Sequence, residues 1–235
     1  MINIQDLQTT AQEAYKLYQA NPQKAVRSGQ FIRQFHDYCE RELQRVGLPP
    51  APILVKNRVR VSFGLEHSVR ILGGYVDKEL DVSLQSNTSG PLLAISVKSQ
   101  MSSIASNMKN RFEEYVGDAT NLHTRFPLLV FGFLMVVPYA VYDASGNLLE
   151  ELIDQNGQPT ETAHRIKSML QGVTGRIEPT SLPGAYEEAA LLVLNFTTSP
   201  VTVHPDFPEP ASNLRIDDFF DRLMSRYRQR NPYLT

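Results

Sequence analysis

Apolar positions in the first fifty residues recur every three or four places, whereas from residue 53 to about 100 they recur mainly every second place before helical spacing returns. The chain therefore reads as helices followed by strands. Helices are predicted over residues 4–19 and 26–47, the second with Phe31, Phe35, Tyr38, Cys39, Leu43 and Val46 on one side and Gly47 before Pro49-Pro50 at its end. Residues 53–64 set Val55, Asn57, Val59, Val61 and Phe63 against Lys56, Arg58 and Arg60, a strand with a basic outward face. Extended runs at 69–84 and 92–100, joined by the polar turn QSNTSGP, predict an antiparallel hairpin. Gly73-Gly74 ahead of the acidic run marks a bulge or close packing. A helix opens at Ser102-Ser103, runs through His123 and stops before Phe126-Pro127. The strand at 128–137 is apolar along its length and must be covered on both faces. Turns at 143–146 and 156–157, a helix at 162–171, a strand at 187–197, a proline-rich loop at 200–210 and a helix at 216–228 complete the chain.

This order predicts an α/β (α+β) fold, a mixed central sheet flanked by helices. A length of 235 residues with 42% hydrophobic content suits one domain over 1–235, its core at about 53–137 and a C-terminal part at about 160–235 packing on or extending it. No leader pattern and no bilayer-length apolar run is seen, so a cytoplasmic protein without membrane partners is expected. The net charge of −2 excludes a polyanion binder that works through its overall field, leaving only a local basic cluster. The single cysteine, Cys39, reads as a buried structural thiol. No phosphate loop, dinucleotide fingerprint, nucleophile elbow or H-E-x-x-H occurs, and His36, His67, His123, His164 and His204 lack ligand-like spacing.

What remains is carboxylate chemistry. Strand alternation places Asp77, Glu79 and Asp81 on one face and Lys78, Leu80 and Val82 on the other, with Ser96 and Lys98 opposite Ile95 and Val97. Asp81 and Lys98 then approach each other near one end of the hairpin. A carboxylate that holds a hard divalent cation, beside an ammonium that touches the same ligand, is what phosphodiester hydrolysis needs. The plainer alternative is a structural Asp81–Lys98 ion pair. Buried pairs of that kind are costly to keep, which favours a functional role.

Leu80-Asp81 followed by Ser96-Val97-Lys98 on the next strand resembles the PD-(D/E)xK nuclease superfamily. Serine stands where the second acid is usual, and this S-x-K variant is similar to a subgroup of type II restriction endonucleases that takes its second carboxylate from the following helix. The resemblance implies a restriction-endonuclease-like fold and sequence-specific, Mg²⁺-dependent hydrolysis of double-stranded DNA. Asp81 and Glu113 would be metal ligands, Lys98 would position or activate the attacking water, and Ser96 would be a minor partner. Arg111-Phe112-Glu113 matches the subgroup's R-x-E, with fourteen residues between Lys98 and Glu113. The helical wheel sets Glu113 opposite the apolar stripe and Glu114 on its flank, so Glu114 stays as the alternative. A homodimer cutting palindromes and a cognate DNA methyltransferase are also implied.

Ser99, Gln100, Ser102, Ser103, Asn107 and Asn110 are candidate DNA contacts, or else an N-cap and a solvated helix face. Lys56, Arg58 and Arg60 suit phosphates or a protected sheet edge. Glu40, Glu42 and Glu66 could add a carboxylate but read better as surface residues, and the C-terminal helix reads best as a docked one. Two other functions stay open: a nuclease of another defence or repair system, and a catalytically inactive nuclease fold that binds DNA or a protein.

Overall fold

The computed structural model describes residues 1–48, 64–86, 89–143 and 145–232. The basic run Lys56, Arg58 and Arg60 lies outside them. Helix α1 (Ile4–Ala20) starts where Asn3 accepts a hydrogen bond from the Asp6 amide, and it buries Leu7, Ala11 and Ala14. The helix expected over 26–47 is two: α2 (Pro22–Arg27) and α3 (Gln30–Arg45). They are parted at Gly29, whose φ of 71° breaks the helical path in a conformation glycine adopts without steric penalty.

Three antiparallel strands follow: β1 (Gly64–Leu72), β2 (Asp77–Ser86) and β3 (Gly90–Ser99). Between β1 and β2 the chain passes close under α4 (Ile104–Arg125). A Cβ on Gly73 would sit 2.3 Å from Asn121, and one on Gly74 2.8 Å from Thr124. The Asn121 side chain accepts from the Tyr75 and Val76 amides and donates to the Val76 carbonyl, so the two glycines mark close packing against a helix.

Helix α4 is the crossover from β3 to β4 (Val130–Pro138), which pairs parallel with β3. A small hairpin, β5 (Ala140–Tyr142) and β6 (Leu148–Glu151), and helix α5 (Glu161–Gly172) lead to β7 (Glu188–Asn195), parallel to β4. A two-residue β8 (Thr202–Val203) and helix α6 (Phe219–Arg230) follow. The sheet order is β1-β2-β3-β4-β7-β8, a mixed sheet with helices on both faces.

One face packs α1, α3 and α6 against Val82, Leu84, Ile95, Val97, Leu134 and Leu192. The other packs α4 and α5 against Leu80, Ala94, Phe131, Phe133 and Leu191. β4 is buried along its whole length, as its unbroken apolar run requires. A Cβ on Gly132 would stand 3.0 Å from Phe219 and Leu223, so the missing side chain is what lets α6 lie close on the sheet. The Cys39 thiol is fully buried, and burial pushes its pKa up, away from reactivity. Among the described residues, no helix is long and apolar enough to cross a membrane.

Candidate active site

β2 does not keep strict alternation. Lys78 reaches Asp118 on α4 at 2.5 Å and Leu80 packs in the α4 face, yet Val82 and Leu84 pack in the opposite one. The shared face expected for Lys78, Leu80 and Val82 therefore breaks at Asp81. The cause is local: Asp81 Oδ2 takes the Val97 amide at 2.8 Å, and backbone pairing of β2 with β3 is seen only from Val82↔Ile95 onward. A side-chain carboxylate thus stands where a ladder carbonyl would, and the two strands part there.

Of the three acids on β2, only Asp81 enters the opening. Asp77 pairs with Arg70 at 3.0 Å on the exposed side, and Glu79 faces solvent. Asp81 Oδ2 also receives Lys98 Nζ at 3.0 Å and the Ser96 hydroxyl at 3.3 Å. Its Oδ1 is met by His36 Nε2 of α3 at 3.9 Å, beyond hydrogen-bond reach. Asp81 and Lys98 keep 18% and 25% of their side-chain surface, so water reaches both.

They line a cleft of about 210 Å³. Val26, Phe31 and Ile32 form its apolar wall, and Arg111 and Tyr115 face it from α4, one helical turn apart. Arg111 is tied to Glu114 Oε2 at 2.6 Å. Glu113 lies two residues from Arg111, roughly 200° round the helix at 3.6 residues per turn. It is 64% exposed, with Lys109 as its ion partner at 3.9 Å. The buried Tyr186 hydroxyl, which donates to the Tyr115 carbonyl, reports the same arrangement. Burial raises its pKa well above the usual range, and the charges of Asp118, Asp81 and Glu114 raise it further.

The polar residues after β3 separate. Ser99 lines the cleft. Gln100 is buried and spends its amide on the Ser102 carbonyl at 2.6 Å. Ser102, Ser103 and Asn110 are exposed and Asn107 is half-buried. The N-cap comes from elsewhere: Glu150 of β6 accepts the Ile104 and Ala105 amides at 2.7 and 3.0 Å, while Ser103, at φ 51°, makes no side-chain cap. Glu42 is not a surface residue, being 1% exposed and bonded to the Asn3 amide and Arg45. Glu40 accepts from Gln44, and α6 is docked through Phe219, Phe220 and Leu223. The Arg111–Tyr115 pair was missed in the sequence as a cleft wall, although their i, i+4 spacing on the helix after Lys98 was the available signal.

Mg²⁺ commonly keeps several waters and takes only one or two protein carboxylates plus substrate phosphates. The residues present fit that habit. Asp81 Oδ1 is a hard oxygen ligand left without a hydrogen-bond donor among the described residues, in a cleft with room for water and a phosphate. No group of three or more His, Cys, Asp or Glu side chains is placed to hold a metal among those residues, as an all-protein cage would require.

The chain matches no family model, no curated protein and no solved structure.

Proposed function

We propose that the protein is a Mg²⁺-dependent endonuclease acting on double-stranded DNA, similar to type II restriction enzymes. The observation that carries this reading is the opening between β2 and β3, where one oxygen of Asp81 holds Lys98, the other has no hydrogen-bond donor among the described residues, and both side chains line a solvent-reached cleft faced by Arg111. A structural ion pair has no need of a cleft, a parted ladder or a second cation across the gap.

Asp81 and Glu114 would hold the metal, Glu114 replacing Glu113 because it shares the cleft side of α4 through Arg111. Bound there, Mg²⁺ supplies charge neutralisation at the phosphoryl oxygen and a more acidic water. Lys98, fixed by Asp81, orients the water that attacks phosphorus as the bond to the leaving oxygen breaks. Arg111 is placed to offset the negative charge that develops on the phosphoryl oxygens. Ser96 restrains Asp81 rather than binding metal, since its hydroxyl is buried and donates to Oδ2. A cytoplasmic homodimer and a partner methyltransferase complete the proposal.

The test is incubation of the purified protein with bacteriophage DNA in Mg²⁺ or EDTA, beside Lys98→Ala. Discrete Mg²⁺-dependent fragments that the variant does not produce are expected. Intact DNA throughout, including methylated and single-stranded substrates, would sink the reading in favour of an inactive binding module.

A further inference from the structure

A second cavity, of about 160 Å³, opens at the same edge of the sheet as the Asp81 cleft. β3, β4 and β7 run parallel, so Lys98 near the end of β3, Pro138 at the end of β4 and Phe196 just past β7 lie along one rim. The cavity wall is aromatic, made by Tyr15 and Tyr18 of α1, Tyr139 and Tyr142 around β5, and Phe196. Tyr15 and Phe196 stack nearly parallel, with centroids 4.7 Å apart and planes 15° apart. Among the described residues, no charged side chain lines the space. The two cavities share a wall, because Phe31, which lines the Asp81 cleft, meets the Tyr18 ring at 6.1 Å and the Phe196 ring at 6.3 Å.

We propose that this cavity is a base pocket: it receives one nucleobase of the strand whose phosphodiester lies at Asp81 and Lys98, stacked against its aromatic wall. The proposal rests on the nuclease reading for its strand. Three features select a base over other occupants. A cavity of about 150 Å³ holds a single benzene-sized ring, so this one has room for a single planar ring system. An uncharged lining disfavours a phosphate or an ammonium, which would lose hydration without a counter-charge. A tyrosine-rich lining carries both hydroxyls that can hydrogen-bond a base edge and ring faces that can take its π surface. Burial and the charge of Asp206 push the Tyr139 pKa up to about 12, further from ionisation than its ordinary value.

Tyr142 is the residue to test, because it lines the cavity while 50% exposed, so its removal leaves the core intact. The probe is an oligonucleotide carrying aminopurine, a fluorescent adenine analogue quenched by stacking, titrated with the full chain in EDTA so that cleavage plays no part. One arm uses single strands and a second uses duplexes. Quenching is expected, with apparent affinity falling roughly five- to hundredfold in Tyr142→Ala, the range of one lost base–aromatic stack, and little in Tyr142→Phe. Quenching in the duplex arm assigns the pocket to an extruded base; quenching confined to single strands assigns it to an unpaired one. Binding without quenching, no binding in either arm, or equal affinity of Tyr142→Ala and the parent overturns the proposal. Quenching that Tyr142→Ala loses, in a chain that cuts no DNA, keeps the pocket and removes the nuclease. Mg²⁺-dependent fragments without quenching do the reverse.

Discussion

Two carboxylates sit at opposite ends of the parallel strands, each against cations, and they are built for different ends. Glu187, just before β7, is fully buried. Its Oε1 takes Arg176 at 2.6 Å and Arg230 at 2.5 Å; its Oε2 takes the Phe131 amide at 2.7 Å and faces His123 at 3.2 Å. Both oxygens that burial strips of water are met by donors, the two guanidiniums on Oε1 and the Phe131 amide on Oε2. Asp81, at the carboxyl end, crowds three donors onto one oxygen, leaves the other without a hydrogen-bond donor among the described residues, and lines a wet cleft. A buried charge with complete compensation fixes strands in place, whereas incomplete compensation beside open volume leaves coordination capacity for a ligand.

The sharpest way to break this contrast is Glu187→Gln. It would leave Arg176 and Arg230, whose side chains are 1% and 7% exposed, as buried cations with backbone carbonyls but no counter-charge. A loss of about 3–5 kcal/mol in denaturant unfolding is expected. Acid should act on the same point. Burial alone would raise the Glu187 pKa, but His123, Arg230 and the Phe131 amide outweigh it and hold the carboxyl below its ordinary 4.5. A depressed folded-state pKa means its contribution is complete above that ordinary value and is lost as pH falls through the lower folded one. The parent should therefore lose stability below about pH 4.5, and Glu187→Gln should lose less over that window. Equal slopes would remove Glu187 as the structural carboxylate.

Asp81→Asn should do the opposite. The asparagine oxygen still accepts the Val97 amide, and Lys98 can turn to water, so unfolding should shift by no more than about 1 kcal/mol. DNA cleavage should meanwhile fall roughly 10²- to 10³-fold, the cost of losing one charge-stabilising group. A large stability loss with cleavage retained would make Asp81 a second Glu187.

The contrast also explains what the sequence disclosed. The mixed sheet was legible because β4 is apolar throughout and the hairpin strands alternate. Asp81 and Lys98 were legible because charges on an otherwise apolar hairpin stand out. Strict alternation misled at Val82, since nothing in Leu80-Asp81-Val82 announces that a side chain will replace a ladder carbonyl. Glu187 was hidden because Tyr-Glu-Glu-Ala reads as the polar start of a strand, and its partners Arg176 and Arg230 come from distant segments. Glu150, which caps α4 from β6, was hidden for the same reason: the helix start looked self-sufficient with Ser102-Ser103. Long-range polar pairing leaves no local period to read.

The finest test lies within α4, between adjacent glutamates whose directions differ by about 100°. Glu114 shares the cleft side through Arg111, so Glu114→Gln, which removes a proposed metal ligand, should lower Mg²⁺-dependent cleavage roughly 10²-fold or more. Glu113 faces solvent and, among the described residues, has Lys109 as its ion partner, at 3.9 Å. Glu113→Gln should therefore leave cleavage unchanged and shift unfolding by about 0.3–0.5 kcal/mol, what an exposed i, i+4 pair contributes. If Glu113→Gln instead abolished cleavage, α4 would have to turn by a residue when DNA and metal bind. That turn would carry Arg111 and Tyr115 out of the cleft wall, so the same measurement decides whether the cleft seen without ligand is the one that works.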